Sequence, residues 1–355
     1  MSPPDATAGP ARVLFLADSG PEIGGGHLMR CLTLAGALQA QGAVCAFVAR
    51  PDAAGVLEAF AGPQVTQLPA MAGDMQSLAQ QAEVLAADWR PDVVVVDHYG
   101  LIAWHETRLR TGGRRIVVLD DMAERRHDCD LLMDAAPDRT AEDYRPLLPP
   151  AAVILTGPRY ALLRPEFAAA RSGALARRAE TMPARRLLIS LGLTDLLGIT
   201  GRVVNLIRPD LGELTVDVVL GAGAPSLTWL SRLQTDDPRV RVHVETRAMA
   251  QLMAEADVAI GAGGSSTWER ACLGLPAIDL ILADNQRPVA LELDRQGATL
   301  AVEVHGEGFA GRVTTAFARL STDARLRSAL SETSAALCDG EGARRVADAI
   351  MSLVR

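Results

Sequence analysis

Aromatic side chains are scarce: six Phe, four Trp and three Tyr make up 4% of the chain. That is too few for an aromatic groove that stacks on sugars or bases. Long apolar runs are missing as well; none approaches the roughly 18 residues that a membrane span needs. The opening stretch MSPPDATAGPAR has neither a basic segment nor an apolar one, so no signal peptide is expected. There is no excess of positive charge. The formal net charge is −8 and the isoelectric point about 5.3. Such a chain is a poor non-specific binder of nucleic acid or membrane surfaces, although its loops can still bind an anion locally. Cys31, Cys45, Cys129, Cys272 and Cys338 are odd in number and scattered, without a C-x-x-C. That is the pattern of reduced, buried thiols. A soluble, cytoplasmic protein is expected, with no nucleic-acid partner and no membrane span.

What is present is a long alternation of strands and helices. The 355 residues are 49% apolar, enough for two cores. Short β-branched runs at 12–18, 43–50, 92–99, 115–121 and 152–157 are apolar throughout, which suits parallel strands buried on both faces. The second half repeats the scheme at 185–192, 215–223, 241–245, 256–264 and 276–282. Ten or more strands exceed an ordinary single sheet. The expected architecture is therefore α/β: two Rossmann-like domains facing each other across a cleft, with mostly parallel sheets. The expected boundaries are 11–170 and 184–335, joined by an Ala/Arg-rich crossover. Residues 336–355 form a C-terminal helix packing back on the N-terminal domain, with a break at Asp339-Gly340. In such sheets ligands dock at the carboxyl ends of the strands.

Four strand-end loops carry candidate chemistry. The first reads Gly24-Gly25-Gly26-His27-Leu28-Met29-Arg30. It fails as a dinucleotide fingerprint. Arg30 stands where the third glycine belongs, and the second strand ends in Arg50 rather than an acid. No cofactor is expected. A histidine at a helix start is disfavoured as imidazolium by the helix dipole, so His27 is placed to act as a general base. The alternative is a histidine that caps the helix or packs. The second loop is Asp97-His98-Tyr99-Gly100, where Asp97 either meets a ligand or caps a turn. Asp120 and Asp121 follow. With no matching His or Glu they are weak metal ligands, and they are read as orienting loops or the histidine; no metal site is expected. The third loop turns at Gly192 into a helix near Thr200. In the fourth, Gly261, Gly263 and Gly264 lead to Ser265, Ser266 and Thr267 at a helix start, a pattern suited to a diphosphate. Glu269 either completes a capping box with Ser266 or accepts from the two hydroxyls of a ribose.

The order of these motifs resembles a known family. GGGHLMRC, VVVDHYGL, LDDMAERRHDCDLL, GPRYALLRPEF, GAGGSSTWERACLGLPAI and NQ fall in sequence. Together they are similar to the UDP-2,4-diacetamido-2,4,6-trideoxy-β-L-altropyranose hydrolases of pseudaminic acid biosynthesis, over residues of about 11 to 300. The resemblance implies a GT-B-like fold and roles residue by residue. His27 would be the catalytic histidine that places or deprotonates water. Gly25, Gly26 and Arg30 would lie against the sugar diphosphate, and Asp97, His98 and Tyr99 would face the sugar. Gly263 and Gly264 belong to the UDP segment, with Ser265, Ser266 and Thr267 at the diphosphate and Glu269 on the ribose. Met249 would lie near the uracil, and Asn285 and Gln286 would reach the amido-sugar. One departure stands out. Relatives show G-G-[ST]-D-P where this chain has Gly192-Leu193-Thr194-Asp195-Leu196.

The implied reaction is chemically self-consistent. Glycoside hydrolysis normally uses two carboxylates because an alkoxide leaves badly. UDP is already a good leaving group, so one positioned base suffices, with amide groups and Arg30 stabilising the departing charge. Metal-independent, inverting hydrolysis of a UDP-amido-sugar, with UDP as product, is the expected activity, in a monomer or weak homo-oligomer. A UDP-sugar-dependent glycosyltransferase of the same fold and a nucleotide-binding module without catalysis are the alternatives.

Overall fold

The computed structural model describes residues 9–18, 25–71, 73–180 and 183–354. The chain divides into two compact units. One comprises Met1–Ala135, Arg139–Thr156 and Ala343–Arg355; the other comprises Ala136–Asp138 and Gly157–Gly342.

The first unit runs β1 (Arg12–Ala17), α1 (Gly26–Gln39), β2 (Val44–Ala49), α2 (Ala54–Phe60), β3 (Thr66–Pro69), α3 (Met75–Trp89), β4 (Val93–Asp97), α4 (Ala103–Leu109), β5 (Arg115–Leu119), β6 (Leu131–Asp134), α5 (Ala141–Tyr144) and β7 (Val153–Thr156). Its sheet has seven strands in the order β3-β2-β1-β4-β5-β6-β7, and every pairing is parallel. The central strands explain themselves. Val93, Val94, Val95 and Val96 are at most 1% exposed, because helices cover both faces and β-branched residues fit a pleated interior. Phe15 on β1 stacks on Phe47 of β2, with ring centroids 4.7 Å apart. The cluster around Leu14, Val94 and Val96 is aliphatic apart from Tyr144 and Cys129, with Trp89 packed against it.

The second unit runs α6 (Pro165–Ala179), β8 (Arg186–Ser190), α7 (Ile199–Ile207), β9 (Thr215–Leu220), α8 (Leu227–Asp236), β10 (Val240–Val244), α9 (Met249–Glu255), β11 (Val258–Ala262), α10 (Ser266–Cys272), β12 (Ala277–Ile281), α11 (Arg287–Arg295), β13 (Leu300–Glu303), α12 (Phe309–Thr322) and α13 (Ala324–Leu337). Its six strands take the order β10-β9-β8-β11-β12-β13, again all parallel. The last helix, α14 (Gly342–Ser352), belongs from Ala343 onward to the first unit. There Gln41 donates to Asp348 at 2.8 Å. No helix among the described residues is long and apolar enough to cross a membrane.

Both units are thus Rossmann-like. In each, strand order reverses between the first strand and the fourth, β1/β4 and β8/β11. The crevice outside those carboxyl ends is where such sheets bind ligands. Three observed strands are not among the expected runs. β3 is polar, edge-placed and ends in Pro69; β6 lacks β-branched residues; β13 has only four residues. Their conformation comes from pairing to a formed neighbour rather than from local propensity.

Chain passage into α14 depends on one close approach. A Cβ on Gly342 would lie 2.2 Å from the Ala161 carbonyl oxygen and 2.6 Å from the Tyr160 carbonyl carbon. Gly342→Ala is therefore expected to destabilise the protein by about 1–3 kcal/mol through overpacking. Helix propensity alone predicts the opposite sign. Urea unfolding checks it: a midpoint at or above wild type would refute the close approach.

Candidate functional site

In the first unit the site grows from β1 and β4. Their register sets Ala17 beside Asp97, and the Asp18 amide donates to the Asp97 carbonyl at 2.7 Å. Asp97 ends β4 with its side chain turned inward and completely buried. α1 starts just after β1, with Gly25 at its N-cap. Its second residue, His27, brings Nδ1 to 2.6 Å from Asp97 Oδ1. Its fifth, Arg30, donates from Nε to Oδ2 at 2.6 Å and from Nη2 to Oδ1 at 2.5 Å. Arg30 Nη2 also lies 3.1 Å from His27 Nδ1. Both groups crowd the same carboxylate oxygen, and a nitrogen that donates to Oδ1 cannot also accept from Arg30. The short bond to Asp97 fixes the choice: Nδ1 carries a proton, so that in the neutral ring the lone pair is on Nε2.

Electrostatics bind this cluster. Burial by itself would lower the Arg30 pKa and raise that of Asp97. Each group's charge outweighs the burial of the other. The guanidinium is held well above its ordinary range, and the carboxylate, facing Arg30 and His27, well below its own. Burial and Asp97 keep the Cys31 thiol protonated, and Cys31 donates to Asp97 Oδ2 at 3.4 Å.

Around this clasp stand Tyr99 and Asp121. The Tyr99 ring meets His27 edge to face, with centroids 4.8 Å apart, and its hydroxyl donates to Asp121 Oδ2 at 3.2 Å. Arg30 Nη1 donates to the same oxygen, also at 3.2 Å. Asp121 thus braces the arginine that braces the histidine. Its neighbour Asp120 is buried, accepting from Tyr144 at 3.0 Å, Arg125 at 3.0 Å and the Ala123 amide at 2.9 Å. His98 is 5% exposed. Its Nδ1 accepts from the Gly100 amide at 3.0 Å, and its Nε2 lies 3.4 Å from Asp18 Oδ1. Burial pushes the His98 pKa down while Asp18 resists. Gly25 and Gly26 line the start of α1; Gly24 lies outside the described residues.

The second unit collects the remaining candidates at the ends of β8 and β11. Gly192 has φ of 100°, a conformation that favours glycine, where β8 turns toward α7. The altered loop after it is anchored by Asp195. This fully buried carboxylate accepts from the Thr200 amide at 2.8 Å and the Ser226 amide at 2.9 Å. Beside it the 262–267 loop leads into α10. The Gly263 amide donates to the Leu280 carbonyl at 2.9 Å. The amides of Gly264 and Ser265 have no acceptor among the described residues. Gln286 packs against this loop: Cβ positions on Gly263 and Gly264 would contact its side chain at 3.5 and 3.6 Å. Asn285 is its neighbour in a short 3-10 turn, and Met249 opens α9 after β10.

Glu269 resolves one alternative left open by sequence. The α10 N-cap, Ser265, makes no side-chain capping bond. The Glu269 carboxylate instead lies 3.5 Å from Arg164 Nη2, and burial raises its pKa against the pull of that cation. Thr267 is 5% exposed, and its hydroxyl faces Asp279 at 3.1 Å. Sequence reasoning passed over Asp18, Arg164, Arg270 and Asp279. Strand register brings Asp279 beside Gly261, Arg270 reaches the loop from one turn along α10, and Arg164 approaches from the start of α6; an acid ending the β1 run (Asp18) was a usable signal.

No family model matches the chain. The spore coat polysaccharide biosynthesis protein SpsG of Bacillus subtilis is 29% identical over 202 residues, or 56% of this chain. The chain spans 58% of the length of that relative. The UDP-2,4-diacetamido-2,4,6-trideoxy-β-L-altropyranose hydrolase of Campylobacter jejuni is 23% identical over 288 residues, 81% of this chain and 97% of that protein. Among solved structures, MurG of Acinetobacter baumannii gives a TM-score of 0.67 at 16% identity, covering 97% of this chain and 100% of its own. The spinosyn rhamnosyltransferase SpnG with spinosyn aglycone gives 0.64 at 18% identity, covering 97% and 100%. These likenesses establish the fold class as GT-B-like, with two parallel-sheet Rossmann-like domains.

The Asp97 clasp has an acid-stability signature. A carboxylate whose folded pKa is depressed adds stability that is complete above its unfolded pKa of about 3.9. That stability is lost as pH falls toward the folded value. Asp97→Asn should cost about 1.5–3 kcal/mol at pH 7 by weakening hydrogen bonds to charged donors. It should also flatten the loss of stability between about pH 5 and 2. Urea titrations of both proteins at pH 7 and pH 3 measure this; an equal acid loss in the two would overturn it.

Proposed function

We propose that the chain is a UDP-sugar-processing enzyme that hydrolyses a UDP-linked diacetamido-trideoxy sugar to free sugar and UDP, a step of pseudaminic acid biosynthesis. The observation that carries the chemistry is the His27 Nδ1–Asp97 bond of 2.6 Å. It fixes the tautomer in which Nε2 accepts a proton, as a general base requires. In the proposed step, Nε2 takes a proton from water as the water oxygen bonds to the anomeric carbon. The bond from that carbon to the diphosphate oxygen breaks, its electron pair leaves with UDP, and configuration inverts. Asp97 steadies the imidazolium that forms. The α1 N-terminus offsets the charge that builds on the leaving diphosphate.

The nucleotide is assigned to the second unit. The two amides without acceptors, at Gly264 and Ser265, suit phosphate oxygens. Glu269, which does not cap its helix, is assigned to the ribose hydroxyls, and Met249, Asn285 and Gln286 keep the uracil and amido-sugar roles that the resemblance gives them. The sequence likeness to the Campylobacter jejuni hydrolase over 97% of that protein supports this substrate class.

A glycosyltransferase is the second reading, favoured by the structural likeness to the rhamnosyltransferase SpnG. The same Nε2 would deprotonate an acceptor hydroxyl in place of water. UDP release with no acceptor present separates the two.

His27→Asn is expected to lower the rate of UDP release by about 10²–10⁴-fold while UDP affinity stays within a few fold. Near-normal turnover in that variant would rule out the base. In heavy-oxygen water the label should enter the sugar; label in UDP would mean attack at phosphorus.

A further inference from the structure

A second clasp, built on the same plan as the His27–Arg30–Asp97 clasp, sits beneath the 262–267 loop. In the first unit, the second and fifth residues of α1, His27 and Arg30, converge on an aspartate from the neighbouring strand, β4. In the second unit, the second and fifth residues of α10 are Thr267 and Arg270. They converge on Asp279 of β12, the strand beside β11. Arg270 Nη2 donates to Asp279 Oδ1 at 2.7 Å and to Thr267 Oγ1 at 2.9 Å. Thr267 Oγ1 lies 3.1 Å from Asp279 Oδ2. The pair is closed off from solvent, with Arg270 3% and Asp279 1% exposed. Space for the guanidinium comes from Gly261, which pairs in register with Asp279. A Cβ on Gly261 would lie 2.2 Å from Arg270 Nη1.

The guanidinium grips the loop at two further points: the Ala262 carbonyl at 2.8 Å and Ser266 Oγ at 3.1 Å, the latter from Nη1. A buried ion pair is a weak source of stability, since apolar replacements often do as well. Holding one loop geometry is a role that such replacements cannot fill. We infer that the Arg270–Asp279 pair positions the nucleotide loop, and that it sorts the two hydroxyls there. Thr267 accepts from Arg270 and faces Asp279, so its hydroxyl is spent inside the protein. Among the described residues Ser266 only accepts from Arg270, which leaves its O–H to donate to a phosphate oxygen. Ser266 is thus the ligand-contacting hydroxyl and Thr267 a positioning residue. This rests on the assignment of UDP to that loop.

The test titrates UDP by calorimetry into the full-length wild type, S266A, T267V, R270K and the double variant R270M/D279L, with a thermal melt of each. The double variant removes both charges, so it keeps a folded core without an orphaned ion. It is expected to melt near wild type yet bind UDP at least tenfold more weakly. R270K retains the charge but has a single nitrogen where the guanidinium reaches four acceptors from two, and should bind UDP as weakly as the double variant. S266A should weaken UDP severalfold without changing the melt, and T267V should change the melt more than the affinity. Wild-type UDP affinity in the double variant, or a larger affinity loss in T267V than in S266A, would overturn the inference. If wild type itself binds no UDP, the functional reading falls separately. Amide hydrogen exchange of residues 261–267 then decides the positioning claim: faster exchange in the double variant supports it, and unchanged exchange refutes it.

Discussion

A carboxylate with no access to water must be satisfied by the protein, and Asp97 imposes that demand on everything near it. Its two oxygens take the His27 imidazole, two nitrogens of Arg30 and the Cys31 thiol. Three of the first six residues of α1 therefore point at one group, which fixes the helix's rotation and its distance from β4. All 35 cationic side chains of this chain are arginines, and this site shows the use of that choice. A planar fork can hold both oxygens of one carboxylate and still reach Asp121, where a lysine supplies one point charge.

From this constraint the chemistry follows in order. Because Nδ1 is committed to Asp97, the imidazole has a single tautomer and one free nitrogen. Because Arg30 neutralises Asp97, the histidine is held by a charged acceptor without an isolated buried anion, which would be costly. Tyr99 limits the ring from the side, and Asp121 ties Tyr99 to Arg30. The same plan recurs in α10, where a threonine takes the place of the histidine. A hydroxyl there ties the loop to Arg270 and Asp279 and carries no basic nitrogen.

Much of the fold was legible in sequence because parallel strands buried on both faces must be apolar along their length. Ten runs read as strands, and each overlaps an observed one, although β7 and β10 at the sheet edges are less buried than the rest. β3 and β13 escaped because an edge strand held by one formed neighbour can be short or polar, and β6 escaped because its four residues are unbranched and take their conformation from β5 and β7 on either side. The strand-end loops were legible too. Glycines, small hydroxyl residues and a histidine at helix starts are needed wherever backbone approaches a ligand, and such residues are conspicuous between apolar runs.

Sequence by itself determined the alternation of elements, the doubly wound class and which loops close each strand, since these depend on periodicity over a few residues. Tertiary structure decided what each polar side chain faces. Asp97 proved to be a support for His27 with no exposed surface; Glu269 turned to Arg164 and left its helix uncapped; Thr267 turned inward. These outcomes depend on strand register, which places Asp97 beside Ala17 and Asp279 beside Gly261. The partners in the first clasp lie 67 and 70 residues apart. Local propensity and spacing carry no information about such pairings, because the hydrogen bonds that select them form only once the sheet has brought distant strands side by side.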